Sequence, residues 1–190
     1  MARRSPTLTL VVLLVAVYLV EVVVDFFGPG PAAFALAPPV TARPWTIVTS
    51  VYAHSGPGHL LANLVGLVLI GVFLERKTSP ARFHAFFLGS GAVAGLAQVW
   101  LSGFVGARVA VLGASGAVFA LLGYVLAGNR VADTVFRGVS VPPRLQLLGF
   151  ALVAGGVTLA TGGPGVALVS HFTGLLIGLL AGRAHLLRPE

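Results

Sequence analysis

The side chains best suited to chemistry in this sequence are a serine, two histidines and an asparagine: Ser115, His171, His59 and Asn63. A serine hydroxyl becomes a competent nucleophile when a neighbouring base takes its proton, and histidine is the usual base. The oxyanion of the resulting tetrahedral intermediate needs hydrogen-bond donors. Asparagine and histidine side chains can donate, as can the backbone N–H of a serine at the start of a helix. These residue types therefore predict hydrolysis through a serine nucleophile.

Glycines accompany both the candidate nucleophile and the candidate base. Gly113 and Gly116 flank Ser115, which lets the backbone turn tightly and a substrate approach. Three glycines follow His171 at four-residue spacing: Gly174, Gly178 and Gly182. Small residues on one helix face allow two backbones to pack closely. If this face packs against the segment of Ser115, it carries His171 towards the serine.

The composition requires a membrane around these residues. Of the 190 residues, 57% are hydrophobic and 9% are charged, and the mean hydropathy is +0.99. A soluble domain carries about 25% charged residues, so this chain cannot build a water-facing surface. The absence of cysteine excludes a disulfide framework, a thiolate nucleophile and a cysteine-ligated metal.

Six apolar segments have the length that a membrane helix needs, about 17 to 25 residues. They cover roughly 8–27, 57–75, 81–101, 113–128, 144–161 and 168–185. The predicted fold is therefore all-α: a polytopic membrane protein whose six transmembrane helices form a bundle, as a single domain over residues 1–190.

The basic residues fall on one side of this topology. If the N-terminus is cytoplasmic, the inside segments hold ten of the 12 basic residues: Arg3, Arg4, Arg76, Lys77, Arg82, Arg130, Arg137, Arg144, Arg183 and Arg188. Only Arg43 and Arg108 fall outside. Such a bias predicts a multi-pass protein of the cell membrane with both termini cytoplasmic. These cytoplasmic basic residues account for the net charge of +7, so the charge does not indicate nucleic-acid binding.

The same topology brings the candidate residues to one depth. Spans two, four and six all run inwards, and His59, Ser115 and His171 lie near their outer ends. Asn63 projects from the same helix face as His59, four residues earlier.

The sequence offers no clear acidic residue to complete a catalytic triad with Ser115 and His171. The topology puts three acidic residues at the cytoplasmic side: Glu75, Asp133 and Glu190. Glu21 and Asp25 lie near the outer end of span one, where we expect them to be interfacial or paired with an arginine. The sequence therefore predicts a Ser115–His171 dyad without an acid.

Three ordered motifs resemble those of the rhomboid family of intramembrane serine proteases, in its prokaryotic six-helix form. His59-Leu-Leu-Ala-Asn63 resembles the family's H-x-x-x-N, Gly113-Ala-Ser115-Gly116 resembles G-x-S-G, and His171-Phe-Thr-Gly174 with Gly178 resembles H-x-x-G-x-x-x-G. The resemblance implies that Ser115 is the nucleophile and His171 the general base. It also implies an oxyanion site made of His59, Asn63 and the backbone N–H of Ser115. The substrate would be a transmembrane segment of another protein, hydrolysed near the outer face.

Several further residues are expected to support such a site or to depart from the family's pattern. Phe119 stands where many members have a tyrosine whose ring stacks on the catalytic histidine. Phenylalanine has the same aromatic ring and lacks only the hydroxyl, so we expect it to stack in the same way. Trp45 is followed by Thr46 where many members have arginine, which leaves the anchoring of the first loop open. His54 either supports the site or is a loop histidine in water. Gln98 either holds water near the site or links helices as a polar side chain.

Other classes of function fit the residues less well. A transporter or channel should show paired hydropathy halves with broken helices at mid-depth, and none is visible. A metal site built on histidines would leave Asn63 and Ser115 unexplained, so no metal or cofactor is expected. The expected partners are transmembrane substrates and the lipid bilayer. The alternative is a rhomboid-like protein that binds membrane clients without cutting them.

Overall fold

The computed structural model describes residues 5–28, 30–129, 142–163 and 165–188, which are almost entirely helical. The α-helices in these ranges are α1 (Pro6–Phe27), α2 (Thr46–Tyr52), α3 (Pro57–Leu74), α4 (Pro80–Phe104), α5 (Ser115–Ala127), α6 (Pro143–Ala160) and α7 (Leu168–Arg183). Three short 3-10 turns cover Gly30–Ala33, Val40–Ala42 and Glu75–Lys77. The all-α prediction is confirmed, and α2 is an additional short helix that the sequence did not predict.

Six of these helices coincide with the six predicted spans. The largest difference is at the end of α4, which continues to Phe104. Four of the six begin with a proline: α1, α3, α4 and α6. Proline suits the first helical position because that position needs no N–H donor and proline's φ is already helical. Ser5 and Ser79 cap the starts of α1 and α4 by accepting hydrogen bonds from backbone N–H groups of the first turn.

The helices fall into two length classes. Within the described ranges, four are long and apolar enough to cross a bilayer: α1, α3 with the turn that ends at Lys77, α4 and α6. The apolar helices α5 and α7 have only 13 and 16 residues. At about 1.5 Å per residue they are roughly 20 and 24 Å long, against a hydrocarbon core of about 30 Å. The protein is a multi-pass membrane protein, and the two shortest of the six helices that match predicted spans, α5 and α7, carry Ser115 and His171.

The two short helices form the centre of the bundle and touch each other through their backbones. The glycine face of α7 meets α5 at three successive turns, where Gly174 lies against Gly116, Gly178 against Ala120, and Gly182 against Tyr124. A Cβ atom on any of these α7 glycines would collide with a backbone carbonyl of α5. The small-residue face of span six therefore packs on span four.

The remaining helices pack around this pair. Helix α4 contacts both α5 and α7, whereas α1 packs on α3, and α6 packs on α7. Part of the predicted charge pattern and two of the predicted cytoplasmic carboxylates lie outside the described residues: Arg3, Arg4, Arg130, Arg137, Asp133 and Glu190.

Candidate active site

The four residues predicted to form a site come together around one cavity. Ser115, His171, His59 and Asn63 all line a space of about 640 Å³ at one end of the bundle. They come from three helices: Ser115 is the first residue of α5, His59 and Asn63 lie one turn apart in α3, and His171 lies in the first turn of α7. The structure thus brings the four predicted residues together at one cavity.

The ring of His171 stacks on Phe119. The two ring centroids are 4.3 Å apart with an interplanar angle of 22°. Phe119 lies one turn after Ser115 on α5, so both residues are on the same face of that helix. The stacking on Phe119 therefore holds the His171 imidazole against the face of α5 that carries Ser115. His171 is buried, and its Nδ1 has no hydrogen-bond partner among the described residues. In this part of the chain, therefore, no carboxylate holds the imidazole.

The structure has no hydrogen bond between the Ser115 hydroxyl and His171 within the residues it describes. Hydrogen bonds between a serine and its base are often long in proteins without substrate, and they tighten when the substrate binds. The two residues thus line one cavity, on two helices that contact each other.

His59 and Asn63 hold their side chains through local hydrogen bonds. The Nδ1 atom of His59 lies 3.1 Å from the Ser55 hydroxyl. If that hydroxyl donates, Nε2 of His59 carries the proton and is itself a donor. The Asn63 amide nitrogen donates to the His59 carbonyl oxygen over 2.9 Å. An amide has two N–H bonds, so this side chain, which lines the cavity, has a second donor.

Gly113 brings the chain into α5 directly beside His59. Its φ of 125° lies in the region that favours glycine. A Cβ atom here would lie 2.6 Å from Cε1 and 2.8 Å from Nε2 of His59. Its backbone N–H donates to the Ser50 carbonyl over 2.8 Å. Gly113 thus makes the predicted turn before Ser115 and leaves room for the ring of His59.

His54 is buried behind the site, so the water-exposed interpretation of this residue is wrong. Only 3% of its surface is exposed, and its ring meets that of His59 edge to face at a centroid distance of 5.1 Å. Its Nδ1 lies 3.1 Å from the Tyr52 carbonyl, and its Nε2 accepts from the Ala114 N–H over 3.4 Å. Burial, with a smaller effect of His59, lowers the pKa of His54 to about 4. A neutral His54 with its proton on Nδ1 therefore supports the turn that precedes Ser115.

Glu21 also supports this region, which the sequence reasoning missed. The expectation that it is interfacial or paired with an arginine is wrong, because the side chain is 6% exposed and its Oε2 accepts from the backbone N–H of His54 over 2.8 Å. An acid within an apolar run was the available signal, since such groups are rare and usually have a partner inside the protein. Asp25, by contrast, is exposed at the end of α1.

Gln98 links α4 to the start of α7. Its Oε1 accepts from the backbone N–H of Ser170 over 3.1 Å, and its amide nitrogen donates to the Ser102 hydroxyl over 2.9 Å. Of the two interpretations of Gln98, the structure therefore shows the polar link between helices. The linked residue immediately precedes His171.

The first loop is anchored without an arginine after Trp45. The guanidinium of Arg43 donates to the Ala32 carbonyl, and the Trp45 indole donates to the Ala33 carbonyl over 3.2 Å. Thr46 is buried and donates to the Arg43 carbonyl over 2.6 Å. Arg43 and Trp45 thus connect the start of α2 to the 3-10 turn Gly30–Ala33.

A metal has no evident ligand set in the described ranges, where no three His, Asp or Glu side chains are grouped to hold an ion.

The family model and the curated relatives that match this chain all belong to the same family. A family model described as the Rhomboid domain matches residues 41–188. RHOMBOID-like protein 5 of Arabidopsis thaliana is 33% identical over 147 residues, which cover 77% of this chain and 45% of that protein. The Rhomboid protease GlpG of Yersinia pestis (strain Pestoides F) is 31% identical over 180 residues, which cover 92% of this chain and 60% of that protein. The chain thus spans less than two thirds of the length of these curated relatives.

Proposed function

This chain belongs to the rhomboid family, and from that premise we propose that it is an intramembrane serine endopeptidase. Its substrates would be transmembrane segments of other membrane proteins, cut near the outer face of the membrane. The similarity to a protein named as a rhomboid protease supports this activity. The observation that carries the proposal is that Ser115 and His171, whose ring stacks on Phe119, line the same cavity.

The proposed reaction uses Ser115 and His171 as a dyad. His171 takes the proton of the Ser115 hydroxyl while Oγ attacks the carbonyl carbon of the scissile bond, and it returns that proton to the leaving amine. A water molecule then hydrolyses the acyl-enzyme, with His171 again acting as base. The absence of a partner on His171 Nδ1 among the described residues supports a dyad over a triad.

Three donors would hold the oxyanion of the tetrahedral intermediate. Ser115 is the first residue of α5, so its backbone N–H has no acceptor within the helix. His59 and Asn63 line the same cavity from α3. Loss of one such donor costs about 100- to 1,000-fold in turnover number, so substitution of either side chain should lower the rate strongly without removing the nucleophile.

The short central helices support a site below the membrane surface. Helix α5 is about 10 Å shorter than the hydrocarbon core, which supports a position of Ser115, at its start, below the membrane surface. The cavity wall that continues below the polar residues is apolar, with Gly66, Ile70, Val118 and Leu122. Such a wall suits a membrane helix, whose peptide bonds become accessible only where the helix unwinds.

We further propose that the bundle forms one domain in the cell membrane, with both termini cytoplasmic and the site near the outer face. The positive-inside pattern supports this orientation. Because the chain has no cysteine, single cysteines can report it. Cysteines placed at Arg76 and Arg144 should react with a membrane-impermeant maleimide only after the cells are opened, whereas a cysteine at Arg108 should react on intact cells. The reverse pattern would contradict the orientation.

The activity is tested with purified protein in liposomes and a single-pass substrate that carries small residues near the outer end of its helix. We expect cleavage by the wild type and none by Ser115→Ala or His171→Ala, with the cut mapped by mass spectrometry. Ser90→Ala and His84→Ala are matched controls, because both residues lie on α4 outside the cavity, and both variants should cleave. A substrate that is bound but not cut by the wild type would favour the alternative, a client-binding membrane protein.

A further inference from the structure

The first loop, which lies between α1 and α2, is joined to the segment that leads to Ser115. Leu36 of this loop and Val111 form an isolated antiparallel β-bridge. The Leu36 N–H donates to the Val111 carbonyl over 2.8 Å, and the Val111 N–H donates to the Leu36 carbonyl over 2.9 Å. Val111 lines the cavity of the candidate site together with its neighbours Ala110 and Leu112. The bridge therefore connects the first loop to one wall of that cavity.

The Leu36 side chain anchors this bridge in the bundle. Its exposed fraction is 0%, although the residue belongs to a loop. A Cβ on Gly95 of α4 would lie 3.3 Å from the Cδ2 atom of Leu36, so the glycine leaves the room that the leucine occupies. Because burial of a leucine side chain is favourable, it holds the Leu36 backbone in place, and with it the two hydrogen bonds to Val111.

The chain beyond Val111 has anchors of its own. The Gly113 N–H donates to the Ser50 carbonyl, and the Ala114 N–H donates to the ring of His54. These contacts hold the turn before Ser115, and neither of them involves Leu36. Loosening the bridge should therefore release the cavity wall at residues 110–112 while Ser115 keeps its position.

We propose that Leu36 is a positioning residue for substrate binding, which acts through Val111 by holding the wall of residues 110–112 in the shape that receives the substrate. This inference rests on the proposed function, since it takes the occupant of the cavity to be a transmembrane segment. A wall that is ordered before binding need not be ordered by the substrate. Fixing the backbone of one residue costs about 5- to 30-fold in affinity, and loss of the Leu36 anchor should weaken binding by that factor.

Binding is measured on the full-length Ser115→Ala protein in liposomes, with a fluorescent single-pass segment, so that the result does not depend on cleavage. In this background we expect Leu36→Ala to raise the Kd about 5- to 30-fold. Leu36→Met, which nearly conserves the side-chain volume, should stay within about twofold. In protein that retains Ser115, Leu36→Ala should raise KM in parallel and change kcat by less than about twofold.

The matched control is Leu14→Ala, which truncates an equally buried leucine of α1. It should lower the unfolding temperature as Leu36→Ala does, because both variants leave a cavity in a packed region. It leaves the bridge in place, so its Kd should stay within about twofold of that of Ser115→Ala alone.

A second pair of variants leaves the first loop unchanged. Gly95→Val pushes on Leu36 from α4, since its Cβ would already lie 3.3 Å from Cδ2, whereas a Cβ on Gly103 of the same helix meets nothing within 4 Å. Hydrogen exchange of the peptide 108–113 reports on the Val111 N–H. We expect this exchange to be at least about fivefold faster in Gly95→Val than in Gly103→Val. The bridge is thus tested even if Leu36→Ala does not fold.

Three results would overturn the proposal: an unchanged Kd in Leu36→Ala, an equal rise of the Kd in Leu14→Ala, or equal exchange in the two valine variants. A kcat that falls as steeply as KM rises would also overturn it, because Leu36 would then act on the dyad. Failure of the proposed function gives a different pattern. Wild-type protein that binds the segment without cutting it refutes the protease, while a Kd raised by Leu36→Ala still supports the role of Leu36.

Discussion

Replacing Gly174 with alanine tests whether close packing of α5 and α7 sets the geometry of the dyad. The new Cβ would overlap the Gly116 carbonyl oxygen and would lie 2.9 Å from the carbonyl carbon, where ordinary contact begins at 3.4 Å. The helices must therefore separate by at least about 0.5 Å, the difference between these two distances. Gly116 follows Ser115 and Gly174 is one turn from His171, so the separation is transmitted to the two polar groups.

The expected losses follow from that displacement. A misplacement of about 1 Å costs about 100-fold in rate, so a shift of about half that size predicts a turnover number at least about 10-fold lower. Overpacking also costs about 1–3 kcal/mol of stability, which opposes the gain of about 1 kcal/mol that alanine brings over glycine in a helix. The assay combines turnover of the single-pass substrate in liposomes with thermal unfolding in detergent.

The matched control is Gly155→Ala in α6, where a Cβ meets nothing within 4 Å. This variant should keep the turnover number and unfold at the same or a higher temperature. If Gly174→Ala matched Gly155→Ala in both measurements, close backbone contact would not control the site, and the reasoning would be refuted.

Three further predictions concern the groups around the dyad. Phe119→Leu removes a stacked pair worth about 0.5–1.5 kcal/mol and should lower the turnover number about 2- to 10-fold, whereas Phe119→Tyr, which keeps the stack on His171, should not. The pKa of His54 is about 4 in the folded protein against 6.5 for the free side chain, so the unfolded chain binds the extra proton between these values. The contribution of His54 to stability is therefore present above pH 6.5 and should fall by about 3 kcal/mol as the pH drops to 4, and His54→Gln should remove that part of the pH dependence in denaturant titrations. Glu21→Leu leaves the buried N–H of His54 without its acceptor and should cost about 1–3 kcal/mol, whereas Glu21→Gln keeps an acceptor and should unfold near the wild-type midpoint.

The transmembrane helices were predictable because each is an apolar run bounded by prolines, glycines or charges, although the runs of α5 and α7 are shorter than the others. The short helix α2 was not, since seven residues in a stretch rich in helix breakers carry too little periodicity. The packing of α7 on α5 was predictable from the four-residue spacing of its glycines, because only small residues permit that contact. The grouping of Ser115, His171, His59 and Asn63 followed from topology, which gave them a common depth.

The supports behind these residues could not be found in the same way. His54 accepts from Ala114, 60 residues away, and Glu21 accepts from His54, 33 residues away. Neither pair has a spacing or periodicity that predicts the contact, because both depend on how the segment before α3 folds back beneath the start of α5. The link from Gln98 to Ser170 is of the same kind.

The most direct test of the account is whether Ser115 is an activated nucleophile that depends on His171. Purified protein is incubated with a fluorophosphonate, and the modified residue is identified by mass spectrometry of peptides. We predict that wild-type protein is labelled at Ser115, that the His84→Ala control is labelled equally, and that His171→Ala is labelled at least about 100-fold more slowly. Wild-type protein that stays unlabelled at Ser115, or a His171→Ala variant labelled at the wild-type rate, would contradict the proposed dyad.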